Sequence, residues 1–158
     1  MKVLIVSDTH GYDDNLYEVI EKEKPIDMLV HCGDIEHSVK NYLSILDCPI
    51  HVVGGNNDFM LGLPEIDKFD IDEHTVVLTH GHRHRVHFEL TLLTYLAEEN
   101  GADVVMFGHL HEPMIIEEDD ITIINPGSLT YPRQKGGRPS YVVMTTNEDD
   151  TEYEIKYL

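Results

Sequence analysis

Five short apolar runs, spread over the first two-thirds of the chain, restrict its fold more than any other feature. They are VLIVS, MLVHC, IHVVG, TVVLT and DVVMF. Each run suits a buried β-strand, whereas the segments between them carry apolar residues at helical spacing. Those segments are Asp14–Lys24, Val39–Leu46 and Phe88–Asn100. Strands that alternate with helices predict an α/β layered fold with a partly parallel sheet.

The last third of the chain has a different pattern, in which short strand-like segments are joined by turn-rich stretches. These segments, MIIEE, ITIIN, YVVMTT and YEIKYL, predict an antiparallel sheet. We therefore expect an α/β fold of two packed, mixed β-sheets flanked by helices. Neither an internal repeat nor a Pro/Ser-rich linker interrupts the sequence. We expect residues 1–158 to form a single domain, long enough to bury roughly 68–70% of its unfolded surface.

The charge balance restricts the partners of the chain. It has 30 acidic residues against 11 Lys and Arg, a formal net charge of −19. Because nucleic acids and anionic membranes attract basic surfaces, we expect neither as a partner. The apolar run near the N-terminus is too short for a signal peptide or a membrane span, and we expect a cytoplasmic protein. Cys32 and Cys48 form no CxxC pair, which argues against a thiolate metal site or a disulfide framework.

Each of the five early runs is followed by residues that can bind a ligand. These residues are Asp8 and His10, Asp34, Asn56 to Asp58, His80 and His82, and His109 and His111. Most of the clusters also contain a glycine, which lets the backbone turn sharply. In open α/β sheets, ligands bind beyond the carboxyl ends of the strands. If the five strands are neighbours, we expect the clusters to converge on one site.

The side chains in these clusters suit divalent metal ions. Asp, Asn and His supply oxygen and imidazole nitrogen atoms, which bind Mn, Fe, Ni, Co or Zn. Seven candidates are too many for one ion; they are Asp8, His10, Asp34, Asn56, His80, His109 and His111. Seven ligands with one shared carboxylate fit two ions about 3.5–4 Å apart. We expect Asp34 to bridge the two ions, since a carboxylate can bind one ion with each oxygen.

Some of the other histidines have simpler interpretations. His31 and His51 lie within strand-like runs, and we expect them to pack there as polar core residues. We expect His37 and His74 to be solvated.

The ordered series DxH, GD, GNND, HGH and GHxH resembles the calcineurin-like metallophosphoesterase superfamily, in its small single-domain branch of bacterial and archaeal phosphodiesterases. The resemblance extends from Asp8 to the NPGS segment at Asn125–Ser128, followed by Pro132 and Arg133. It implies a four-layer sandwich of two β-sheets between helices, and a hydrolase that uses two metal ions. By this resemblance the ligands of one ion are Asp8, His10, Asp34 and His111, and those of the other are Asp34, Asn56, His80 and His109.

The resemblance also implies an activity. We expect a metal-dependent phosphodiesterase that hydrolyses a small phosphodiester by attack of a hydroxide bridging two divalent ions. Mn²⁺ is the first choice of ion, with Ni, Fe, Co or Zn as alternatives. Many family members carry a histidine that protonates the leaving group, and here that position is Asn57, an amide without a useful pKa for the task. We expect Asn57, Asp58 and His82 as catalytic residues. Asp58 would orient its neighbours. The proton donor would be water, His82 or no group at all.

Two other functions remain open at this point. The same metal pair serves phosphomonoesterases and nucleotidases, so the motifs do not separate monoester from diester chemistry. A retromer subunit with this fold is similar to a non-catalytic scaffold, although a scaffold has no need to keep every ligand position filled. A homo-oligomer is also open, because no residue pattern indicates an interface.

Overall fold

The computed structural model describes residues 1–36, 45–147 and 150–158, and within them the chain forms ten strands and two helices. The strands are β1 Lys2–Val6, β2 Met28–His31, β3 Ile50–Val52, β4 Ile66–Ile71, β5 His74–Thr79, β6 Val104–Met106, β7 Pro113–Glu118, β8 Ile121–Pro126, β9 Ser140–Thr146 and β10 Thr151–Tyr157. The helices are α1 Asp14–Glu23 and α2 Thr91–Asn100. None of the helices in these ranges is long and apolar enough to cross a membrane.

The strands form two five-stranded mixed sheets. The first sheet has the order β10-β9-β1-β2-β3, in which β1, β2 and β3 run parallel and β9 and β10 run antiparallel to their neighbours. The second has the order β4-β5-β6-β8-β7, with a parallel centre and antiparallel edges. The predicted α/β fold of two mixed sheets is confirmed.

Three apolar interfaces stack these elements into four layers. Alternate residues of β1 point to opposite faces of its sheet, as the two-residue period of a strand requires. Val3 and Ile5 pack against Val76 and other residues of the second sheet, whereas Leu4 packs against α1. The outer face of the second sheet packs against α2 through residues such as Leu93. Burial of these apolar side chains on both sides of each sheet is the main force that holds the layers together.

All the strands predicted from the sequence are present, with ends displaced by one or two residues. The sequence pattern does not predict β4, because its three apolar residues are interrupted by charges without a strict two-residue alternation. Helix α2 begins at Thr91 rather than at Phe88, since the residues before it form turns. Most of the predicted helix Val39–Leu46 lies outside the described residues.

The prediction of one antiparallel sheet for the last third is wrong. The segment forms two antiparallel hairpins, β7–β8 and β9–β10, but each hairpin joins a different sheet. Strand β8 also pairs in parallel with β6, with Ile123 opposite Val105. The cause is that Ile121–Pro126 is buried on both faces near its end, as a central parallel strand requires.

Histidines outside the strand ends pack within a sheet or link one sheet to the other. His31 is fully buried, and His51 Nδ1 lies 2.7 Å from Asp67 Oδ2 between β3 and β4, as expected of packed polar residues. The prediction of a solvated His74 is wrong. Its two ring nitrogens lie 2.6 Å from Asp103 Oδ2 and 2.9 Å from Thr151 Oγ1, which links β5 to β10 of the other sheet. His37 lies outside the described residues.

The carboxyl ends of β1, β2 and β3 and those of β5 and β6 meet at one edge of the sandwich. Backbone hydrogen bonds join the loops that follow them. Asp8 N donates to Gly33 O at 3.0 Å, His10 N donates to Asp34 O at 2.9 Å, and Gly108 N donates to His80 O at 3.1 Å. These bonds hold the loop after β1 beside the loop after β2, and the loop after β5 beside the loop after β6.

Candidate metal centre

Five of the seven predicted ligands come together at this edge in two overlapping groups. The first group is Asp8, His10 and His111, and the second is Asp8, Asp34 and His80. Within each group the nitrogen and oxygen atoms that could bind an ion lie within 4.8 Å of one another. Asp8 belongs to both groups, whereas the shared position predicted from the sequence is Asp34.

The two carboxylates lie between histidines from both sheets. Asp8 Oδ1 lies 3.0 Å from His111 Nε2 and 3.7 Å from His10 Nε2. Asp34 Oδ2 lies 3.5 Å from His80 Nε2 and 3.9 Å from His10 Nε2. Asp34 therefore connects the two groups through His10 and His80, which keeps a bridging role open to it.

Three of the histidines are oriented by their outer ring nitrogen. Nδ1 of His80 donates to Cys32 O, and Nδ1 of His111 donates to Tyr131 O, each at 2.7 Å. His10 Nδ1 lies 2.8 Å from the Glu36 carboxylate. A partner on Nδ1 fixes the tautomer and leaves the Nε2 lone pair facing inward, as metal-binding histidines require.

The inward atoms fit a bound cation. Nδ1 of His111 donates to Tyr131 O and its Nε2 lies 3.0 Å from Asp8 Oδ1, so an ion between these two inward atoms would take the place of a proton. Asp8 Oδ1 and His80 Nε2 are buried and make no hydrogen bond among the described residues. Buried polar atoms without partners are costly. A donor set of carboxylate oxygen and imidazole nitrogen therefore matches a borderline or hard divalent ion.

Five predicted ligands have an unusual backbone conformation. Their φ angles are positive, at 56° for Asp8, 47° for His10, 54° for Asp34, 68° for His109 and 61° for His111. Left-handed residues other than glycine are strained by roughly 1–3 kcal/mol each, and such strain concentrates at functional sites. The turns that follow the strands thus orient these side chains at the expense of backbone stability.

Two glycines allow the carboxylates to lie close to neighbouring backbone. A Cβ atom added at Gly55 would overlap the carboxylate and the backbone nitrogen of Asp34. At Gly108, an added Cβ would overlap the Ser7 hydroxyl and approach Asp8 Oδ2. These glycines are required by close packing around Asp34 and Asp8.

Asp58 and Asn57 support the Asp34 loop. The buried Asp58 carboxylate accepts hydrogen bonds from Ile35 N at 3.1 Å, Glu36 N at 2.8 Å and Gly55 N at 2.9 Å. Asn57 donates to Asp34 from both its backbone nitrogen and its side-chain amide. The predicted orienting position of Asp58 agrees with these contacts, and the Asn57 amide contacts a candidate ligand.

The remaining predicted site residues lie on the outer side of the cluster. Asn56 is exposed, and the His109 ring centroid lies 5.1 Å from that of His80. The His82 ring lies 5.4 Å from His80 and 6.2 Å from His109, and its buried Nδ1 has no hydrogen-bond partner among the described residues. His109 also meets His87, with 4.8 Å between ring centroids.

Several residues that support the site carry no recognisable signal of this role in the sequence. Glu36 holds His10, but nothing in its sequence position distinguishes it from other acidic residues. In the NPGS segment, Asn125 Nδ2 donates to Gly108 O at 2.7 Å, and Ser128 Oγ donates to Asp8 O at 2.9 Å. The segment was visible in the sequence, but its contacts with the loops after β1 and β6 were not.

The electrostatics keep both carboxylates ionised. Burial alone would raise the pKa of Asp8, but His111, His80 and the Ser7 hydroxyl outweigh it and lower that pKa. The pKa of Asp34 is also low, because His80 and the Asn57 donors outweigh burial. Burial lowers the pKa of His109 to about 4, which leaves its nitrogens neutral at pH 7. Burial alone would lower the pKa of His80, but Asp34 and Asp8 outweigh it and raise that pKa. A bound ion would replace the proton on His80, because metal ions bind ionised carboxylates and neutral imidazoles.

Comparison with known proteins identifies the family of the chain. The family model of the calcineurin-like phosphoesterase superfamily domain matches residues 1–149. A probable metallophosphoesterase of Bacillus subtilis is 35% identical over 150 residues, which cover 94% of this chain and 86% of that protein. A phosphodiesterase of Methanocaldococcus jannaschii is 33% identical over 144 residues, which cover 80% of this chain and 83% of that protein.

The fold has also been seen in a solved structure of similar size. A predicted phosphoesterase from Streptococcus pneumoniae aligns with a TM-score of 0.86 and 29% identity, covering 99% of this chain and 88% of that one. Fold, strand-end cluster and family match therefore agree, and the chain belongs to the calcineurin-like phosphoesterase superfamily.

Proposed function

We propose that the chain is a phosphodiesterase that uses two divalent metal ions to hydrolyse a small phosphodiester. The observation that carries the proposal is the inward orientation of three histidines around two carboxylates. His10, His80 and His111 each have Nδ1 next to an oxygen and Nε2 facing Asp8 or Asp34. A surface cluster of polar residues needs no such arrangement.

The geometry favours one set of ligands for each ion. Asp8, His10 and His111 would hold the first ion, with Asp34 beside them. Asp8, Asp34 and His80 would hold the second, with His109 beside His80 and Asn56 in the exposed loop after β3. Manganese is our first choice of metal, with Ni, Fe, Co or Zn as alternatives, because all of them accept oxygen and imidazole ligands.

Two such ions would lower the pKa of a bound water and offset charge on the phosphoryl oxygens. The chain's own residues supply the rest. Asp58 fixes the loops that carry Asp34 and Asn56, and Asn57 fixes the Asp34 carboxylate. His82 lies beside the second group, where it can contact the phosphoryl group or the leaving oxygen. Neither a serine nor a cysteine nucleophile is required.

A small substrate fits the charge of the chain better than a polymer. With a net charge of −19, the surface repels a long polyanion such as nucleic acid, and it repels an anionic membrane. The phosphodiesterase activity named for the Methanocaldococcus relative supports diester rather than monoester chemistry. A cytoplasmic location and a homo-oligomer remain part of the proposal.

Turnover of a chromogenic diester tests the proposal. The protein is stripped of metal, Mn²⁺ is restored, and hydrolysis of bis-p-nitrophenyl phosphate is followed beside that of p-nitrophenyl phosphate. We expect Mn²⁺-dependent diester hydrolysis that Asp34→Asn abolishes, whereas Asp120→Asn, in the exposed β7–β8 turn, retains it. Faster monoester hydrolysis would favour a phosphomonoesterase or nucleotidase. No turnover with any divalent ion would favour a scaffold.

A further inference from the structure

A groove of about 400 Å³ lies beside the second ligand group. The loop after β3 forms one wall, and the residues after β5 form the other. Its lining includes Asn56, Phe59, Leu63, Glu65, His82 and Arg83. Because Asn56 and His82 belong both to the groove and to the candidate centre, a substituent of a phosphodiester held at the centre can enter the groove.

The walls of the groove combine a flat apolar surface with hydrogen-bonding groups. Phe59 is 83% exposed, so most of its ring faces open space. Arg83 and Glu65 form an ion pair at 2.8 Å, and each side chain is more than half exposed. Donors of the guanidinium and acceptors of the carboxylate therefore remain available to a ligand.

The charges in the groove argue against a second phosphate group. The Arg83 guanidinium is already paired with the Glu65 carboxylate, and the described lining residues include no other cation. An anionic extension would compete with the Glu65 carboxylate for the single guanidinium. An uncharged group suits the groove better, provided that it has one flat apolar face and polar atoms at its edge.

We propose that this groove binds a nucleobase, so that the substrate is a small phosphodiester of a nucleoside. The inference rests on the proposed function, because it assigns the phosphate to the metal centre. The base stacks on Phe59, and its edge reaches the Arg83–Glu65 pair. Stacking of a base on an aromatic side chain is sequence-tolerant, since every base has a flat π-face.

Competition between two phosphate monoesters tests the inference. AMP carries a base, and ribose 5-phosphate has the same sugar and phosphate without one. Both are used as inhibitors of Mn²⁺-dependent bis-p-nitrophenyl phosphate hydrolysis. We expect the inhibition constant of AMP to be at least roughly tenfold lower, as base stacking on an aromatic side chain allows. We expect Phe59→Ala to bring the two constants within about twofold.

Phe88→Ala is the matched control, because Phe88 is 82% exposed and lies outside the groove lining. This variant should keep the wild-type ratio of the two constants. Equal inhibition of the wild type by AMP and ribose 5-phosphate would overturn the inference and leave the proposed phosphodiesterase untouched. If Phe59→Ala left the ratio of the two inhibition constants unchanged, the inference would also be overturned. This holds even if the variant changes the self-association of the chain, as measured by sedimentation.

Calorimetric binding in the presence of Mn²⁺ separates this inference from failure of the proposed function. If no turnover is found with any ion, AMP binding at least about tenfold tighter than ribose 5-phosphate, and lost in Phe59→Ala, still supports a nucleobase groove. Equal binding of the two compounds overturns it.

Discussion

Asn57 donates two hydrogen bonds to Asp34, from its backbone nitrogen to Oδ1 at 2.9 Å and from its side-chain amide to Oδ2 at 2.7 Å. The amide is thus engaged with the carboxylate that lies between the two ligand groups. This contact makes Asn57 a positioning residue for Asp34 rather than a free partner for the leaving group.

Removal of the Asn57 amide is expected to weaken metal binding. In Asn57→Ala, Asp34 keeps the backbone hydrogen bond but loses the donor on Oδ2. Loss of a group that orients a metal ligand reduces affinity by about 10–100-fold. Calorimetric titration with Mn²⁺ measures this affinity. Asn100→Ala removes an amide hydrogen bond at the end of α2 and should bind Mn²⁺ like the wild type.

Wild-type Mn²⁺ affinity in Asn57→Ala would argue that Asp34 is fixed without the amide. It would also argue that Asn57 serves the substrate directly.

Replacement of Asp58 by asparagine is expected to destabilise the fold. The carboxylate accepts three backbone hydrogen bonds, from Ile35, Glu36 and Gly55, and an amide in its place turns a donor toward some of these N–H groups. Hydrogen bonds to a charged group contribute about 1.5–3 kcal/mol, so we expect Asp58→Asn to lower the free energy of unfolding by about 2–3 kcal/mol. Urea unfolding measures it.

The exposed Asp47 provides a control for the Asp58 prediction. Asp47→Asn should change the free energy of unfolding by less than about 0.5 kcal/mol, as surface substitutions do. Equal stability of Asp58→Asn and the wild type would contradict the role of Asp58 in joining the two loops.

A methyl group at Gly55 is expected to reduce activity more than stability alone explains. In Gly55→Ala the added Cβ overlaps Asp34 and must displace its carboxylate. We expect Mn²⁺-dependent hydrolysis of bis-p-nitrophenyl phosphate to fall at least about tenfold, since displacement of a catalytic group by about 1 Å costs up to 100-fold.

Gly101→Ala is the control that separates the cost of adding a Cβ to glycine from the overlap of that Cβ with Asp34. Gly101 has a φ of 61° at the end of α2, and nothing lies within 4 Å of an added Cβ. This variant should lose about 1–2 kcal/mol of stability from the left-handed conformation and keep wild-type activity below its unfolding temperature. Equal activities of the two variants would mean that Gly55 does not fix Asp34.

The acid stability of the chain is expected to depend on Glu23. The buried carboxylate accepts from Lys2 Nζ at 2.9 Å, Tyr141 OH at 2.8 Å and Lys156 Nζ at 3.2 Å. Burial alone would raise the pKa of Glu23, but these donors outweigh it and lower the pKa to about 2. Because the folded pKa lies below the unfolded one, the stabilisation is full above about pH 5 and is lost as pH falls toward 2.

Urea unfolding between pH 3 and pH 7 checks this dependence. Glu23→Gln should be less stable than the wild type by about 1–3 kcal/mol near pH 7, and the difference should shrink as the pH falls. Glu21→Gln, at a side chain that is 71% exposed, should show almost no difference at any pH. If the difference in the free energy of unfolding between Glu23→Gln and the wild type stayed constant with pH, the stabilisation by Glu23 would not come from its charge.

The sequence predicts the convergence of the site better than its internal arrangement. Asp8, His80 and His109 each follow an apolar run, and parallel strands bring such positions to one edge of a sheet. The left-handed turns at Asp8 and His109 are not visible in the sequence. Aspartate and histidine are enriched at positive φ among residues other than glycine, but only a small fraction of them adopt it. Those turns arise from tertiary contacts between loops distant in sequence, such as the bond from Ser128 to Asp8 O.

The edges of the fold were also harder to predict than its centre. Ile66–Ile71 has three apolar residues at irregular spacing and only one buried residue, so the hydrophobic signal for a strand is weak there. The crossing of β8 into the centre of the second sheet depends on its pairing with Val104–Met106, and no local pattern encodes that partner.

The number of metal ions per chain tests the central claim most directly. The metal-free protein is dialysed to equilibrium against Mn²⁺, and bound manganese is counted by mass spectrometry against protein concentration. The two overlapping groups around Asp8 and Asp34 predict two ions per chain in the wild type and fewer than one in Asp34→Asn. At most one ion per wild-type chain at saturating Mn²⁺ would contradict a two-metal centre.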